Sequence, residues 1–270
     1  MQIQTGTDLS SWEVGWKILS KVFSDKKLLP ERVATFGEVT NSHGLNVVDV
    51  EDCRELWASK AMMRAGGSQY EVMEDFHWKR AKIAKSQGTV TFTSISTKGI
   101  KRPGSIFFQS KYRPEIDWSG LFRIWCETVS PIAAVLHPLV TQDGPKKSEK
   151  DIREYSYEEE ISQQAWSRFL SGQSYCEFRA GERNSLVSGL TNIGWASWFG
   201  EEYAKEVNQP AISSAGFPIF KIGTGYLIQL SDHIDDVIGD YPAFSRRRAR
   251  LKSLFRSDLF LIKEEPFKLP

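Results

Sequence analysis

The sequence predicts an α+β fold in which a mainly antiparallel sheet is flanked by helices. Apolar and polar residues alternate over Thr89–Ser96, and a second run, Ser105–Ser110, can pair with it across a polar turn that contains glycine. Another hairpin is predicted around Gly223–Gly225, because glycines supply the positive φ that a tight turn needs. Helical patterns flank these strands without a steady β-α-β rhythm, which favours antiparallel pairing.

The first predicted helix covers Asp8–Lys27, with Asp8 as its N-cap. Its apolar stripe recurs at helical spacing and comprises Leu9, Trp12, Trp16, Leu19 and Phe23. A short strand is expected at Arg32–Val39. A second helix is predicted over Val50–Arg64, where the Gly66–Gly67 pair would stop it. Its inward candidates are Leu56, Trp57 and Met63.

Strands are predicted from Tyr70 to Tyr112, beginning with one that contains Val72, Glu74, Phe76 and Trp78. Asp117 then caps a helix that Pro131 ends. The apolar residues of this helix lie on one face and comprise Trp118, Leu121, Phe122, Trp125 and Val129. A buried strand is expected at Ala133–Val140.

The segment Thr141–Arg153 is polar, charged and contains glycine and proline, so it is the best candidate for a linker. It would separate an N-terminal α+β half, residues 1–140, from a C-terminal half, residues 154–270, although one continuous domain is also compatible with the sequence. A helix is predicted over Ser156–Leu170, with Gly172 closing it.

The C-terminal half is organised around residues 191–255. We predict a tryptophan-bearing helix at Asn192–Phe199, a hairpin formed by Phe217–Ile222 and Tyr226–Leu230, an acidic loop, and a basic helix over residues 244–256. Two strands followed by a helix therefore occur twice, at residues 89–131 and 217–255. This order of elements suggests two similar hairpin-helix halves, without a repeat at the level of residues.

The composition is that of a soluble protein without a strong charge bias. The 270 residues carry a formal net charge of +1, which argues against a surface that is basic throughout. Three widely spaced cysteines, Cys53, Cys126 and Cys176, do not indicate a disulfide framework, and we expect them to be buried apolar groups. The N-terminus lacks the pattern of a secretory signal and no long apolar span occurs, so a cytoplasmic location is expected.

The motifs of common enzymes are missing from the sequence. Gly172–Cys176 lacks the closing glycine of a nucleophile elbow, and the four histidines do not have metal-ligand spacing. His233 is adjacent to Asp232 and close to Asp235 and Asp236, but a solvated acidic loop is the simpler interpretation. The sequence therefore predicts a protein that is not an enzyme, with no catalytic residues, cofactor or metal.

The basic helix offers an alternative function. Its six cationic side chains are Arg246, Arg247, Arg248, Arg250, Lys252 and Arg256. A nucleic-acid-associated protein would use such residues to contact phosphates. An acidic segment lies immediately upstream, and an apolar line through Phe244, Leu251, Leu254 and Phe255 is more typical of a helix docked on its own fold. Nucleic-acid binding is therefore the second choice.

A resemblance to a known family supplies the first choice. Asp117–Trp118 with the helix up to Pro131, Ile193–Phe199, Gly223–Asp232 and the closing helix to Phe255 follow the order of elements seen in bacterial immunity proteins. The chain resembles those of polymorphic-toxin and type VI secretion systems, particularly immunity protein 52 and related families. The resemblance covers roughly residues 103–255. It implies an α+β antidote that binds a cognate toxin in the cytoplasm.

Such an antidote would block the toxin by occlusion, and acidic groups often face the toxin where its substrate groove is basic. Two clusters are candidates for toxin binding: Glu154, Glu158, Glu159 and Glu160, and Asp232, Asp235, Asp236 and Asp240. The sequence leaves open the toxin's activity, the binding face and a possible homodimer. A third reading, an unrecognised hydrolase, would need Ser174 with His233 and a carboxylate, or Cys126 or Cys176 with a histidine, in one pocket. No membrane partner is expected.

Overall fold

The computed structural model describes residues 1–95, 101–138, 190, 192–260 and 265. Contacts divide the chain into two compact units, Met1–Pro131 and Ile132–Pro270. Both units contain antiparallel strands and helices, which confirms the predicted α+β class. The predicted linker over 141–153 and the predicted helix over 156–170 lie outside the described residues.

Strands make up most of the regular structure of the first unit. They are β1 (Gln2–Thr5), β2 (Arg32–Thr35), β3 (Leu45–Asn46), β4 (Lys60–Ala65), β5 (Ser68–Met73), β6 (Phe76–Lys79), β7 (Gln87–Thr91), β8 (Ser94–Ile95), β9 (Lys101–Arg102) and β10 (Gly104–Gln109). Six of them lie side by side in the order β1-β10-β7-β6-β2-β3, and every pair among these six is antiparallel. The pairs β4–β5 and β8–β9 form small sheets of their own.

The pairing of β7 with β10 confirms the predicted hairpin. Ser105 lies opposite Thr91, and buried side chains alternate with half-buried ones along β7. Gly88 of β7 lies opposite Trp78 of β6, and a Cβ atom at this glycine would come within 2.0 Å of the indole Cζ2. Since side chains cannot occupy that space, glycine is required for the indole to cross β7.

Two helices complete the first unit: α1 (Trp12–Ser24) and α2 (Trp118–Val129). The predicted cap of α2 is confirmed, because the Asp117 carboxylate accepts from the Gly120 amide at 2.8 Å. Its predicted apolar face is buried throughout. Trp125 lies 5.5 Å from Phe108, measured between ring centroids, and its indole N–H donates to the Ile18 carbonyl of α1 at 3.0 Å. This tryptophan joins both helices to the sheet.

The start of α1 differs from the prediction. The N-cap is Ser11, whose hydroxyl accepts from the Val14 amide, whereas the Asp8 carboxylate accepts from the Ser10 amide within the preceding turn. The helix therefore begins later than predicted, and Trp16 of the predicted stripe is exposed. Its buried face is formed by Gly15, Ile18, Leu19 and Val22.

The predicted helix over Val50–Arg64 is wrong. Only Val50–Cys53 is helical, as a single 3₁₀ turn, and the chain then forms the β4–β5 hairpin. Gly66 and Gly67 have φ values of 58° and 80°. Two successive positive φ values define a tight hairpin turn, so the glycine pair that suggested a helix stop connects two strands. Trp57, between the turn and β4, is buried as predicted.

The second unit has a four-stranded antiparallel sheet in the order β13-β14-β12-β11. Its strands are β11 (Ala133–Leu136), β12 (Ala196–Phe199), β13 (Ile219–Ile222) and β14 (Gly225–Gln229). The predicted strand at Ala133–Val140 is confirmed over its first part. The predicted hairpin is also confirmed, with Gly223 at φ 55° in its turn.

The predicted tryptophan-bearing helix at Asn192–Phe199 is wrong, because its second half is strand β12. All four residues of β12 are buried, and it pairs with strands on both sides. Because β12 is covered on both faces, it has no exposed polar face, and even Ser197 is buried, with its hydroxyl accepting from the Gly194 amide. The strand therefore lacks the alternation that identifies a half-exposed strand.

The second unit also contains a 3₁₀ helix at Glu201–Glu206 and the helices α3 (Gln209–Ser214), α4 (Asp236–Gly239) and α5 (Tyr241–Lys252). Helix α5 is the predicted basic helix, beginning somewhat earlier than expected. Phe244, Leu251 and Phe255 of its predicted apolar line are buried. The Phe255 ring stacks on Phe199 of β12 with centroids 5.1 Å apart.

Candidate partner-binding surface

The acidic loop that follows β14 forms an exposed rim in the second unit. Asp232, Asp235, Asp236 and Asp240 are all exposed. The single-turn helix α4 lies within this loop, with Val237 buried beneath it and Ile238 46% exposed above. We name these four aspartates and Ile238 the acidic rim. It presents one apolar side chain among carboxylates, an arrangement that can contact a basic protein surface.

Buried residues hold the base of this loop in place. The Trp195 indole donates to the Ser231 hydroxyl at 3.0 Å, and that hydroxyl donates to the His233 carbonyl at 3.0 Å. The Arg247 guanidinium donates to the Leu230 carbonyl at 2.7 Å. The loop is therefore anchored at its start by Trp195, which precedes β12, and by Arg247 of α5, which limits the entropy that binding would cost.

The aspartates of the acidic rim differ in their local roles. Asp240 is the N-cap of α5, because its carboxylate accepts from the Ala243 amide at 3.0 Å. Within the described part of the chain, Asp232 and Asp236 make no ion pair with a basic side chain. Their charge therefore remains available to solvent or to a partner. The other predicted cluster, Glu154, Glu158, Glu159 and Glu160, lies outside the described residues.

The basic helix, by contrast, turns much of its charge inward. The guanidinium of Arg248 is 1% exposed and contacts the Glu265 carboxylate through Nε at 2.8 Å and Nη2 at 2.7 Å. Lys252 donates to the other oxygen of the same carboxylate. The Arg248 guanidinium also lies 5.2 Å from the centre of the Phe244 ring. We name Arg248, Lys252 and Glu265 the buried ion triad.

Two more cations of the predicted basic set are bound within the fold. Arg247 donates to a carbonyl and lies over the Phe217 ring, and Arg256 pairs with Glu206 at 3.1 Å and Asp258 at 2.9 Å. Four of the six predicted cations are thus committed to internal partners. The helix does not present the continuous basic face that phosphate contacts require, so the structure does not support the nucleic-acid alternative.

The residues proposed for a hydrolase are not assembled among the described residues. Burial raises the pKa of the Cys126 thiol well above its usual value, with the nearby Glu127 charge adding to the effect. A nucleophilic cysteine requires the opposite shift. His233 lies on the exposed acidic loop, whereas Ser174 and Cys176 lie outside the described residues. Cys53 is also buried, as predicted, and burial with the charges of Asp52 and Asp49 raises its pKa to about 12.

In the described ranges, no group of three or more histidine, cysteine, aspartate or glutamate side chains has an arrangement that could hold a metal ion. None of the helices in those same ranges is both long and apolar enough to cross a bilayer.

Comparisons with known proteins support the architecture. No protein-family model matches the sequence, and no curated protein is significantly similar to it. A solved structure titled Pseudomonas aeruginosa T6SS protein PA0821 matches with a TM-score of 0.53 at 10% sequence identity. The match covers 94% of this chain and 71% of that one. At this identity the likeness concerns the fold alone: the chain is similar in fold to a type VI secretion system protein.

Proposed function

We propose that this chain is an immunity protein that binds a cognate toxin in the cytoplasm and blocks the toxin's active site. The observation that carries the proposal is the acidic rim, whose carboxylates are exposed on an anchored loop. The resemblance of residues 103–255 to type VI immunity families supports it, as does the similarity in fold to a type VI secretion system protein. We propose no catalytic role for the chain.

Binding through the acidic rim would depend on charge during encounter and on apolar contact afterwards. Exposed carboxylates attract a basic surface over about 8 Å at physiological ionic strength, which raises the association rate. Once the surfaces meet, Ile238 would be excluded from water together with the surrounding groups. An antidote of this kind needs no chemistry of its own, because the toxin's substrate cannot enter the covered site.

The test is co-expression of the chain with the product of the neighbouring upstream gene. We expect growth to be rescued and a stoichiometric complex to survive purification at high salt. Failure of both rescue and complex formation would remove the proposal for that partner.

Charge reversal then tests the acidic rim. Changing Asp232, Asp235 and Asp236 to lysine should slow association with the toxin by about tenfold or more at low salt, measured by surface plasmon resonance. Asp240 is left unchanged because it caps α5. The matched control reverses Glu55 and Glu115, two exposed carboxylates of the first unit. If charge reversal in the acidic rim and charge reversal of Glu154, Glu158, Glu159 and Glu160 each leave the affinity for the toxin equal to that of the control variant, the toxin does not bind through either acidic cluster.

A further inference from the structure

The β4–β5 hairpin is an exposed element of the first unit. Among the described residues, its strands pair only with each other, through six residue pairs from Lys60–Met73 to Ala65–Ser68. At its base, the Glu74 amide donates to the Ser59 carbonyl at 2.9 Å, and the Ser59 hydroxyl donates to the Glu74 carboxylate at 3.1 Å. An isolated two-stranded hairpin is at best marginally stable in water. Contact with a partner would therefore stabilise a hairpin whose two faces are both exposed.

Apolar side chains are concentrated on this hairpin. Three of the four methionines in the sequence are there, and Met62, Met63 and Met73 are 64%, 44% and 38% exposed. Tyr70, opposite Met63, is 39% exposed. Methionine is flexible and polarizable, and it is used at surfaces that adapt to a partner. All four are therefore more than one third exposed, so a partner could cover them.

The charges on the hairpin sum to zero and are confined to one face and its base. Because side chains alternate along a strand, Met63 and Tyr70 share one face with Ala61 and Val72, and that face carries no charge. On the opposite face, the Lys60 ammonium binds the Glu71 carboxylate at 2.7 Å. Arg64 and Glu74 are the other two charged residues of Lys60–Glu74, so this segment has no net charge. A partner that covers this hairpin therefore needs apolar walls and no excess of charge.

We propose that the β4–β5 hairpin inserts into an apolar-walled cleft of the toxin that this chain neutralises. The inference rests on the proposed function and extends it to a second contact surface. A cleft is required because exposed apolar side chains lie on both faces, and a flat partner would cover only one. Strands of this length extend about 20 Å, which suits a cleft of similar depth. The hairpin supplies apolar contact to complement the charge of the acidic rim.

The first experiment uses the unmodified chain and its complex with the product of the neighbouring gene. Dilute hydrogen peroxide converts exposed methionines to sulfoxides, which mass spectrometry quantifies at each site. In the free chain we expect Met62, Met63 and Met73 to oxidise readily. In the complex, we expect all three rates to fall by about tenfold or more, since covered thioethers are shielded from the oxidant.

The second experiment compares two double variants of the full chain. Met63→Ser with Tyr70→Ser removes the apolar side chains from the uncharged face and should weaken binding by about tenfold or more. Val48→Ser with Ile83→Ser removes two exposed apolar side chains elsewhere in the same unit and should change affinity by less than about twofold. Circular dichroism confirms that both variants are folded.

The outcomes separate the two proposals. If the chain forms the complex but its hairpin methionines oxidise at the free rate, the hairpin is not at the interface and only the proposed function survives. If the unmodified chain forms no complex, the proposed function fails and the inference fails with it. If the methionines of the free chain are already protected and the chain sediments as a dimer, the hairpin is covered by a second copy and the inference is overturned. Protection on toxin binding, lost affinity in the hairpin variant and a normal control support it.

Discussion

The two hairpin-helix regions share their order of elements but not their means of stability. In the first, β7 and β10 are followed by α2, whose buried face is entirely apolar or aromatic. In the second, β13 and β14 are followed by α5, whose buried face includes Ser245, Arg248 and Lys252. The first helix is held by burial of apolar area, and the second also needs a remote carboxylate, Glu265, to neutralise its cations.

This difference shows that the same order of elements can be stabilised by interactions that respond differently to substitution. Apolar burial loses stability in proportion to the volume removed from the core. A buried ion cluster tolerates replacement of the whole cluster by apolar residues, but not the loss of one member, because the remaining charges are then buried without a partner. The two regions should therefore respond differently to single and to concerted substitutions.

The largest effect is expected from Glu265→Ala. This change leaves two buried cations without their carboxylate, and we expect the free energy of unfolding to fall by about 3–5 kcal/mol. Urea denaturation followed by tryptophan fluorescence measures the loss, and hydrogen exchange should place it in α5. As a companion, Arg248→Met, Lys252→Met and Glu265→Leu together should leave stability unchanged or raise it. A large loss in this triple variant would mean that the buried ion triad contributes more than charge neutralisation.

A smaller effect is expected from Leu121→Ala in α2. Leu121 is almost fully buried, so its truncation should cost about 2–3 kcal/mol, in the lower part of the range for buried leucines. Because no charge is involved, the loss should be the same at low and high salt in urea denaturation. A loss that varies strongly with salt would contradict the apolar account of this helix.

The smallest effect is expected where the two regions are alike, at their N-caps. The Asp117 and Asp240 carboxylates accept from backbone amides at 2.8 and 3.0 Å. Asp117→Ala and Asp240→Ala should each lower the free energy of unfolding by about 1 kcal/mol. Thermal denaturation of both variants measures the comparison. If one substitution lowered the free energy of unfolding several times more than the other, the two N-caps would not contribute equally to the stability of their helices.

Patterns in short stretches of sequence correctly predicted α2 and the β7–β10 hairpin. Asp117 before an apolar face identified α2, and the alternation over Thr89–Ser96 identified β7 together with its pairing to β10. Strand β12 was missed because both of its faces are buried, so its sequence does not alternate between buried apolar and exposed polar residues. The β4–β5 hairpin was missed because Lys60–Arg64 also suits a helix and the glycine pair suits either a helix end or a turn.

One feature of the candidate site could be predicted from the sequence, and another could not. The exposure of the acidic rim follows from its composition, because closely spaced carboxylates remain in water unless they are paired. The inward orientation of Arg248 and Lys252 could not be read from the helix itself, where all six cations look alike. Their burial accompanies contact with Glu265, and that is a tertiary contact without a local signal.

The buried ion triad also imposes an order on synthesis. Glu265 follows α5 in the sequence, so the ribosome completes the helix before it supplies the carboxylate that neutralises it. Until then, Arg248 and Lys252 cannot form their ion pairs with this carboxylate. The core formed by Trp78, Phe108 and Trp125 has no such dependence, because all of its residues have been translated once α2 is complete. The core of the first unit can therefore form during translation, whereas the buried ion triad of the second unit requires a residue beyond α5.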